Sequence, residues 1–565
     1  MDDICGRQPS NPHQIKLSLN LLRVGDVRDE GVNPDAAELS CRTGKPSGVP
    51  AADDDLGSAS MERASHFQSN SAGAASDEHQ AIGQGSRSHL PGKFGAPKDR
   101  SAVSHGAVVP RGPSAYRRLS RNAYWFAQRQ FVGRRLDFHL MLSLDRRRVA
   151  ITGIGFLTPI GNDAETVWSN LVEGVSGVGP ITHFDPRRNA TRIAAEVKNF
   201  VPEDYMDGKS ARNSSRYCQF AVAASTKALS DADLDLSEMD PSDVGVVVSS
   251  VYGGIIDAER AQVVIREGAG FERISPHAAA MVGSNMAAAF VAMTVRAGGV
   301  NFAVSSACAS GGNAIGEAAE IIRRGDAKVM LAGGAEASIT PLVISLYDRI
   351  KATSNRNDEP ERASRPWDTG RDGFVHGEGS VVFVLEDWDH ARQRGARVHA
   401  ELAGYGASID MRHFVNPDPE GVGAAKSMLM AIAKAGLEPK DVDYVNAHGT
   451  STRQGDIAET NAIKRAFNGH AQKLAVSSTK SVHAHMIGAA GAMEAAVCVL
   501  AIERGTVPPT INLEDQDPAC DLDYVPNYPR RMDIRVAISN SFGLGGHNAT
   551  ILVRKFEEDG ASKPD

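Results

Sequence analysis

The sequence predicts an α/β protein made of two similar halves, and three observations carry that prediction. From Arg148 onward, short apolar runs rich in Val, Ile and Ala alternate with stretches of helical periodicity. The alternation runs once from about 148 to 387 and again from about 399 to 543. It begins abruptly after a long segment that lacks it. Such alternation marks a mostly parallel sheet covered by helices. The repeated grammar suggests an internal duplication, although no letter-by-letter repeat is visible.

Residues 1–140 are rich in Ser, Gly, Pro, Asp and His, as in ASDEHQAIGQGSRSHLPGKFGAP, with few apolar positions at regular spacing. They bury too little surface to offset ordering entropy, so a disordered N-terminal extension is expected. Its last part, PSAYRRLSRNAYWFAQRQFVGRR, is basic with aromatics. That mixture suits a solvated, loosely helical tail, or contact with nucleic acid or an anionic membrane. Met141 stands just before the first patterned strand, so a chain start there is a third reading. The segment 557–565 reads as a flexible tail.

RRVAITGIGFLTPIG gives a strand and a Gly-rich turn, followed by a helix around AETVWSNLVEG. The turn lacks the G-x-G-x-x-G spacing of a dinucleotide site. Further strands are expected at 244–253, at FAVSSA (302–307, read as buried), at 328–336 and at 379–387, with helices at 216–232, 278–296 and 313–324. The 278–296 stretch is interrupted by Gly283, Ser284, Asn285 and Thr294, which suits an internal or interface helix better than a membrane span. In the later half, strands are expected at 399–406, 442–449, 474–479 and 535–543, and helices at 420–436, 455–467 and 488–504. The expected halves are 146–395 and 396–556.

Cys308 falls where the apolar run FAVSSA gives way to small residues and then to the helical pattern of NAIGEAAEIIRRGDA. A thiol at a strand-to-helix turn sits near the positive end of the helix dipole, which lowers its pKa and aims backbone N–H groups at anything bound to the sulfur. Ala307, Ala309, Ser310, Gly311 and Gly312 leave room for a sharp turn and an approaching acyl group. A buried structural cysteine is the alternative. His448, in YVNAHGTST, and His485, in SSTKSVHAHMIGAAG, both stand where a strand ends, which is where open α/β sheets build their sites. Each alone is equally well a satisfied polar residue. One Cys and two His are also zinc-ligand types, but no close-spaced ligand pair is present.

Net charge is −8, so no whole-protein nucleic-acid footprint is implied. The six cysteines show no C-x-x-C pairing, which argues against a disulfide framework and fits a reducing cytoplasm. MDDICGRQPSNPHQ has no apolar core after its first charges, so no secretory signal is read there.

Four blocks, SSACASGGNAIGEA, VNAHGTST, SSTKSVHAHMIGAAGAMEA and ISNSFGLGGHNAT, closely resemble the elongating β-ketoacyl-[acyl carrier protein] synthases. SRPWDTGRDGFVHGEG and VPPTINLEDQDPACDLDYVPN are similar to the same family, in order from about Arg147 to Phe556. The resemblance implies a thiolase-like fold, two duplicated α/β halves in a five-layer α-β-α-β-α sandwich, and normally a homodimer. It implies decarboxylative condensation of malonyl and acyl thioesters carried by acyl carrier protein, with no cofactor. It also implies roles. Cys308 is the acyl acceptor, and His448 and His485 are the condensation histidines. Lys480 and Glu494 support them. Phe542 supplies the backbone N–H that completes an oxyanion hole with Cys308, its ring acting as a gate. Thr450 and Thr452 meet the phosphopantetheine arm, and Phe374 lies in the gating segment opposite.

Three departures from the family pattern bear on substrate. His483-Ala484 replaces the usual Thr-Gly, a form similar to nodulation-type ketosynthases, and His483 is read as supporting rather than catalytic. Leu544 replaces the commoner Phe of the gate. Tyr252 falls where relatives carry a smaller aliphatic residue at the floor of the acyl pocket, and its ring would shorten that pocket. Arg349, Lys351 and Arg356 are the first choice for docking an acidic carrier, with Lys209, Arg212 and Arg216 second. Alternatives are a thiolase, a polyketide-type ketosynthase, or a non-catalytic chain-length partner. The last would be expected to lack the nucleophile.

Overall fold

The computed structural model describes residues 147–268 and 270–557. The expected disordered extension, its basic aromatic stretch and the tail beyond residue 557 lie outside the described residues.

The first half runs β1 (Val149–Leu157), α1 (Ala164–Glu173), α2 (Arg216–Asp231), β2 (Val244–Ser249), α3 (Ile255–Arg266), α4 (Met286–Val295), β3 (Asn301–Phe302), α5 (Ser310–Arg324), β4 (Val329–Glu336), α6 (Pro341–Arg349) and β5 (Gly379–Asp387). The second runs β6 (Ala400–Ile409), α7 (Val422–Lys434), β7 (Tyr444–Asn446), α8 (Arg453–Phe467), β8 (Ala475–Ser477), α9 (Ala490–Arg504), β9 (Val536–Gly543) and β10 (His547–Arg554), shorter elements aside. The ten strands lie in the order β8-β7-β9-β10-β6-β1-β5-β4-β2-β3. Numbered within each half, both read third, second, fourth, fifth, first, so the duplication is present in the topology. The halves join at β1 and β6 through Ala150↔Glu401 and Ile151↔Ala400.

Helices α5 and α9 lie between the halves, and each touches strands of both. Outside them, α2 and α4 cover the first half of the sheet, and α7 and α8 cover the second. This is the expected five-layer α-β-α-β-α sandwich. Glycine permits its closest approaches. A Cβ at Gly153 or Gly155 of β1 would strike the carbonyl oxygens of Ala228 or Ala224 on α2. At Gly404 or Gly406 of β6 it would strike those of Ala431 or Ser427 on α7. A G-x-G on the first strand of each half, packed on an outer helix of the same half, is thus a repeat visible in the letters after all. Between the halves, a Cβ at Gly311 would stand 2.9 Å from the carbonyl oxygen of Gly488, and one at Gly491 2.7 Å from the amide of Gly312. The starts of α5 and α9 therefore lie nearly backbone to backbone, and this brings the two halves' loops to one place.

The expectation of a mostly parallel sheet is corrected. Pairings β9–β10, β10–β6, β6–β1, β1–β5 and β5–β4 are antiparallel, and only the outer ladders are parallel. One reason is the β9–β10 hairpin, which reverses through Gly545 and Gly546 at φ 90° and 81°. The strand FAVSSA is also corrected. Only Asn301 and Phe302 pair, with Val246 and Val247, and both are exposed at the sheet edge. From Ala303 the chain leaves the ladder to make the turn that carries Cys308. The helix expected at 278–296 breaks at Gly283–Asn285 into a short turn (Ala278–Val282) and α4. Among the described residues, no helix is long and apolar enough to cross a membrane.

Candidate active site

The Cys308 turn is held by a relay of small polar groups. The Ser306 amide donates to Ser310 Oγ at 2.9 Å, Ser310 Oγ to the Ala307 carbonyl at 2.6 Å, and Asn313 Nδ2 to Ser306 Oγ at 2.6 Å. Tyr405 OH of the second half donates to Asn313 Oδ1 at 2.9 Å. Ala307 sits at φ 50°, a left-handed conformation that costs a non-glycine residue energy and turns the chain between sheet and helix. Cys308 is thereby placed two residues ahead of α5 and is 8 % exposed.

The expected lowering of the thiol's pKa does not hold in the resting protein. Burial pushes Cys308 up to about 12, against the pull of Lys480 and of backbone N–H groups. Those N–H groups belong to Leu544 and to Cys308 itself. This corrects the expected donor, Phe542, whose backbone is paired with Asn548 in the β9–β10 ladder. Gly543 lets the segment approach, since a Cβ there would stand 2.7 Å from the Ser306 carbonyl and 3.0 Å from the Cys308 amide. The Phe542 ring faces His448 at 5.7 Å, and Leu544 is 37 % exposed at the mouth.

His448 follows β7. Its backbone N–H and that of Gly449 both donate to Glu459 of α8, at 2.8 and 2.7 Å, and Asn540 Nδ2 holds the same carboxylate at 3.2 Å. His485 is fixed through its own backbone. Its N–H donates to the Val375 carbonyl and its C=O accepts from the Gly377 N–H, both at 2.8 Å. The two imidazoles meet edge to face at 5.3 Å, and their ligand-type nitrogens and Cys308 Sγ lie within 4.8 Å of one another. Burial first, then the charge of Lys480, holds His448 well below its ordinary pKa. Burial and then His448, Lys480, His376 and His483 do the same for His485. Both rings are therefore neutral at pH 7, with the unpaired nitrogens His448 Nδ1 and His485 Nδ1 and Nε2. Behind them Lys480 Nζ and Glu494 Oε1 form a fully buried ion pair at 2.5 Å, and burial pushes Glu494 up to about 7.

Phe374 lies between Tyr347 (5.1 Å) and His485 (5.3 Å), both edge-on. Tyr252 joins the same apolar cluster, its OH donating to Tyr347 OH at 2.9 Å. Thr450 and Thr452 pair through their hydroxyls at 3.0 Å at the start of α8. His483 is buried on Thr479 Oγ1 at 3.0 Å, outside the sulfur–imidazole trio. Of the docking cations, Arg349, Lys351, Lys209 and Arg212 are exposed. Arg216 instead pairs with the buried Glu378 at 2.8 Å and Arg356 with Glu359 at 3.2 Å, which removes the first from the docking set. Sequence reasoning missed Glu459, Glu336, Tyr347 and His376. In the letters Glu459 stands inside a helical stretch and Glu336 at a strand end, and neither is marked off from an ordinary charge.

The three ligand-type atoms are also a possible metal trio, but among the described residues no carboxylate joins them. A cysteine with two N–H donors at its sulfur, facing two neutral imidazoles across a thiolase-like fold, defines a condensing enzyme with a covalent acyl intermediate.

Comparison with known proteins agrees. Residues 146–391 match the family model for the beta-ketoacyl synthase N-terminal domain and 399–514 that for its C-terminal domain. The chain belongs to the beta-ketoacyl synthase family, and it is an enzyme of the acyltransferase class. It is 45% identical to a 3-oxoacyl-[acyl-carrier-protein] synthase 2 of Synechocystis, over 74% of this chain and 100% of that one. It is 46% identical to that of Coxiella burnetii, over 73% and 99%. Among solved structures, it is similar to a chain of the complex described as a type II PKS acyl-carrier protein with its ketosynthase bound to the hexaketide, at TM-score 0.67 and 34% identity, covering 73% of this chain and 100% of that one.

Proposed function

We propose that the chain extends an acyl group held on Cys308 by a malonyl unit delivered on acyl carrier protein. The observation that carries this reading is the meeting of one sulfur and two neutral imidazoles within 4.8 Å, with the Leu544 and Cys308 N–H groups beside the sulfur. The Cys308 thiol attacks the thioester carbonyl of an acyl-carrier. The carrier sulfur leaves and takes up the proton, giving an acyl-enzyme. During this step the Cys308 and Leu544 N–H groups face the carbonyl oxygen as it becomes an oxyanion, worth about 3–4 kcal/mol per well-placed donor. Malonyl-carrier then enters along Thr450 and Thr452. It loses CO2 while His448 and His485 donate hydrogen bonds to its thioester oxygen, which becomes the enolate. The enolate carbon attacks the acyl-Cys308 carbonyl, the C–S bond breaks, and the thiolate takes up a proton from solvent, the first having left with the carrier thiol. The product is a 3-oxoacyl thioester two carbons longer.

Burial and then the Lys480 charge keep both rings neutral, and Glu494 anchors Lys480 as its ion-pair partner. Tyr252 closes the acyl end of the pocket and favours short or atypical primers. Arg349 and Lys351 dock the carrier; Lys351 adjoins Ala352, whose carbonyl accepts from the Phe374 N–H at 2.9 Å, so docking lies next to the gate. Neither metal nor organic cofactor is needed. The exposed edge at β3, with Phe302 and Met293 uncovered, suits a homodimer. We place the enzyme in a reducing cytoplasm, where its free cysteines would stay reduced. A non-catalytic chain-length partner is disfavoured because nucleophile and imidazoles are all in place. One experiment tests the reading: purified chain, a panel of acyl-carriers and malonyl-carrier, with and without chelator, products identified by mass spectrometry. Elongation in both conditions is expected, and Tyr252→Ala should lengthen the longest acyl chain accepted. No 3-oxoacyl product from any primer would refute it.

A further inference from the structure

Glu336 ends β4, is fully buried, and takes no part in the chemistry above. Its carboxylate binds four donors, two at each oxygen. Oε1 accepts from Ser250 Oγ (3.2 Å) and the Tyr252 N–H (3.3 Å), and Oε2 from the Val251 N–H (2.9 Å) and the Gly488 N–H (3.2 Å). Ser250, Val251 and Tyr252 follow β2 in the first half. Gly488 lies three residues past His485 in the second. One carboxylate thus ties the segment under the acyl pocket to the turn that carries an imidazole. The turn is closed tightly on it, since a Cβ at Gly488 would stand 2.6 Å from Oε2. All four partners are neutral, and burial pushes Glu336 up to about 7 while the donors pull it down. An acid kept in such a place costs stability, and its four-way grip is what it supplies in return.

The gripped backbone ends in Tyr252, whose ring continues an edge-to-face series through Tyr347 (6.4 Å), Phe374 (5.1 Å) and His485 (5.3 Å). We propose that Glu336 is a positioning residue for acyl selection, holding the Tyr252 backbone so that the Tyr252–Tyr347 hydroxyl pair stays across the end of the pocket and sets the longest chain Cys308 accepts. This rests on Cys308 being the acyl acceptor. Glutamine cannot substitute, because its amide nitrogen would face two donors whichever way it turned.

The test compares wild-type chain, Glu336→Gln, Tyr252→Ala and the double variant. Each is offered saturated acyl-carriers graded in length, and acyl-Cys308 is read by intact-protein mass spectrometry. Glu336→Gln should accept chains at least one two-carbon unit longer than wild type, and the double variant should accept none longer than Tyr252→Ala alone, since both act through one ring. An unchanged cut-off in folded Glu336→Gln, or additive shifts in the double variant, would overturn the proposal. Should Glu336→Gln not fold, Ser250→Ala removes one of the four donors and should move the cut-off in the same direction; an unmoved cut-off there overturns it equally. If wild-type chain forms no acyl-Cys308 with any primer, it is the condensing reading that fails, and the role of Glu336 falls with it.

Discussion

The two halves share a strand order and a G-x-G packing device, yet the same loops do different work in each. After the second strand, the first half places Tyr252 against Tyr347 and the second places His448. After the third, the first half gives Cys308 at the head of α5, and the second gives His485 ahead of α9. At the end of the fourth, the first half supplies the Glu336 clamp, and the second the Leu544 N–H at the sulfur. On the proposed mechanism the nucleophile and the acyl pocket belong to the first half, which borrows one N–H donor from the second, and management of the carbanion belongs to the second. The difference shows that duplication fixed where side chains converge and left their chemistry free.

The largest expected effect breaks this division outright. Cys308→Ser should cut elongation by at least about a thousandfold, since the covalent step is lost. It should leave measurable release of CO2 from malonyl-carrier, which needs only the second half. His485→Ala should give the converse, acyl transfer to Cys308 without decarboxylation. Radiolabelled acyl transfer and CO2 release, measured on both variants, check the pair; loss of both activities in each would erase the comparison. Next in size is Glu494→Gln. It leaves the Lys480 charge buried without its partner and should destabilise the fold by about 3–5 kcal/mol, read from denaturant midpoints. The smallest effect sharpens the account of the sulfur. Because burial puts the Cys308 thiol at about 12, its thiolate fraction grows with every rise in pH below that value. Iodoacetamide labelling of the resting protein should accelerate steadily from neutral to mildly alkaline pH, without a plateau. A plateau near neutrality would show a thiolate already formed.

Most of the architecture was legible, and for a physical reason. Buried strands such as Gly379–Asp387 are continuous apolar runs, and helices such as Arg216–Asp231 carry a clear buried face. Strand direction was not legible, because an apolar run reads the same both ways and the hairpin before β10 lies in glycines that also suit a loop. The site was legible wherever side-chain type announces chemistry, as at Cys308, His448 and His485. It was not where backbone does the work. The letters of NSFGLGG do not show which N–H points at the sulfur, and Phe542 was expected where Leu544 stands. Glu336 and Glu459 look like ordinary charges until burial and backbone donors reveal them as clamps. The thiol's pKa is not legible either, because a sequence shows the helix that follows and not the desolvation around the sulfur.

That desolvation has a further consequence. Peroxide attacks thiolates, so a sulfur kept protonated by its surroundings is a poor target for oxidation to sulfenic acid. On the proposed reaction the sulfur becomes a thiolate only as its bond to the acyl carbon breaks, so at rest it meets peroxide in the less reactive protonated form.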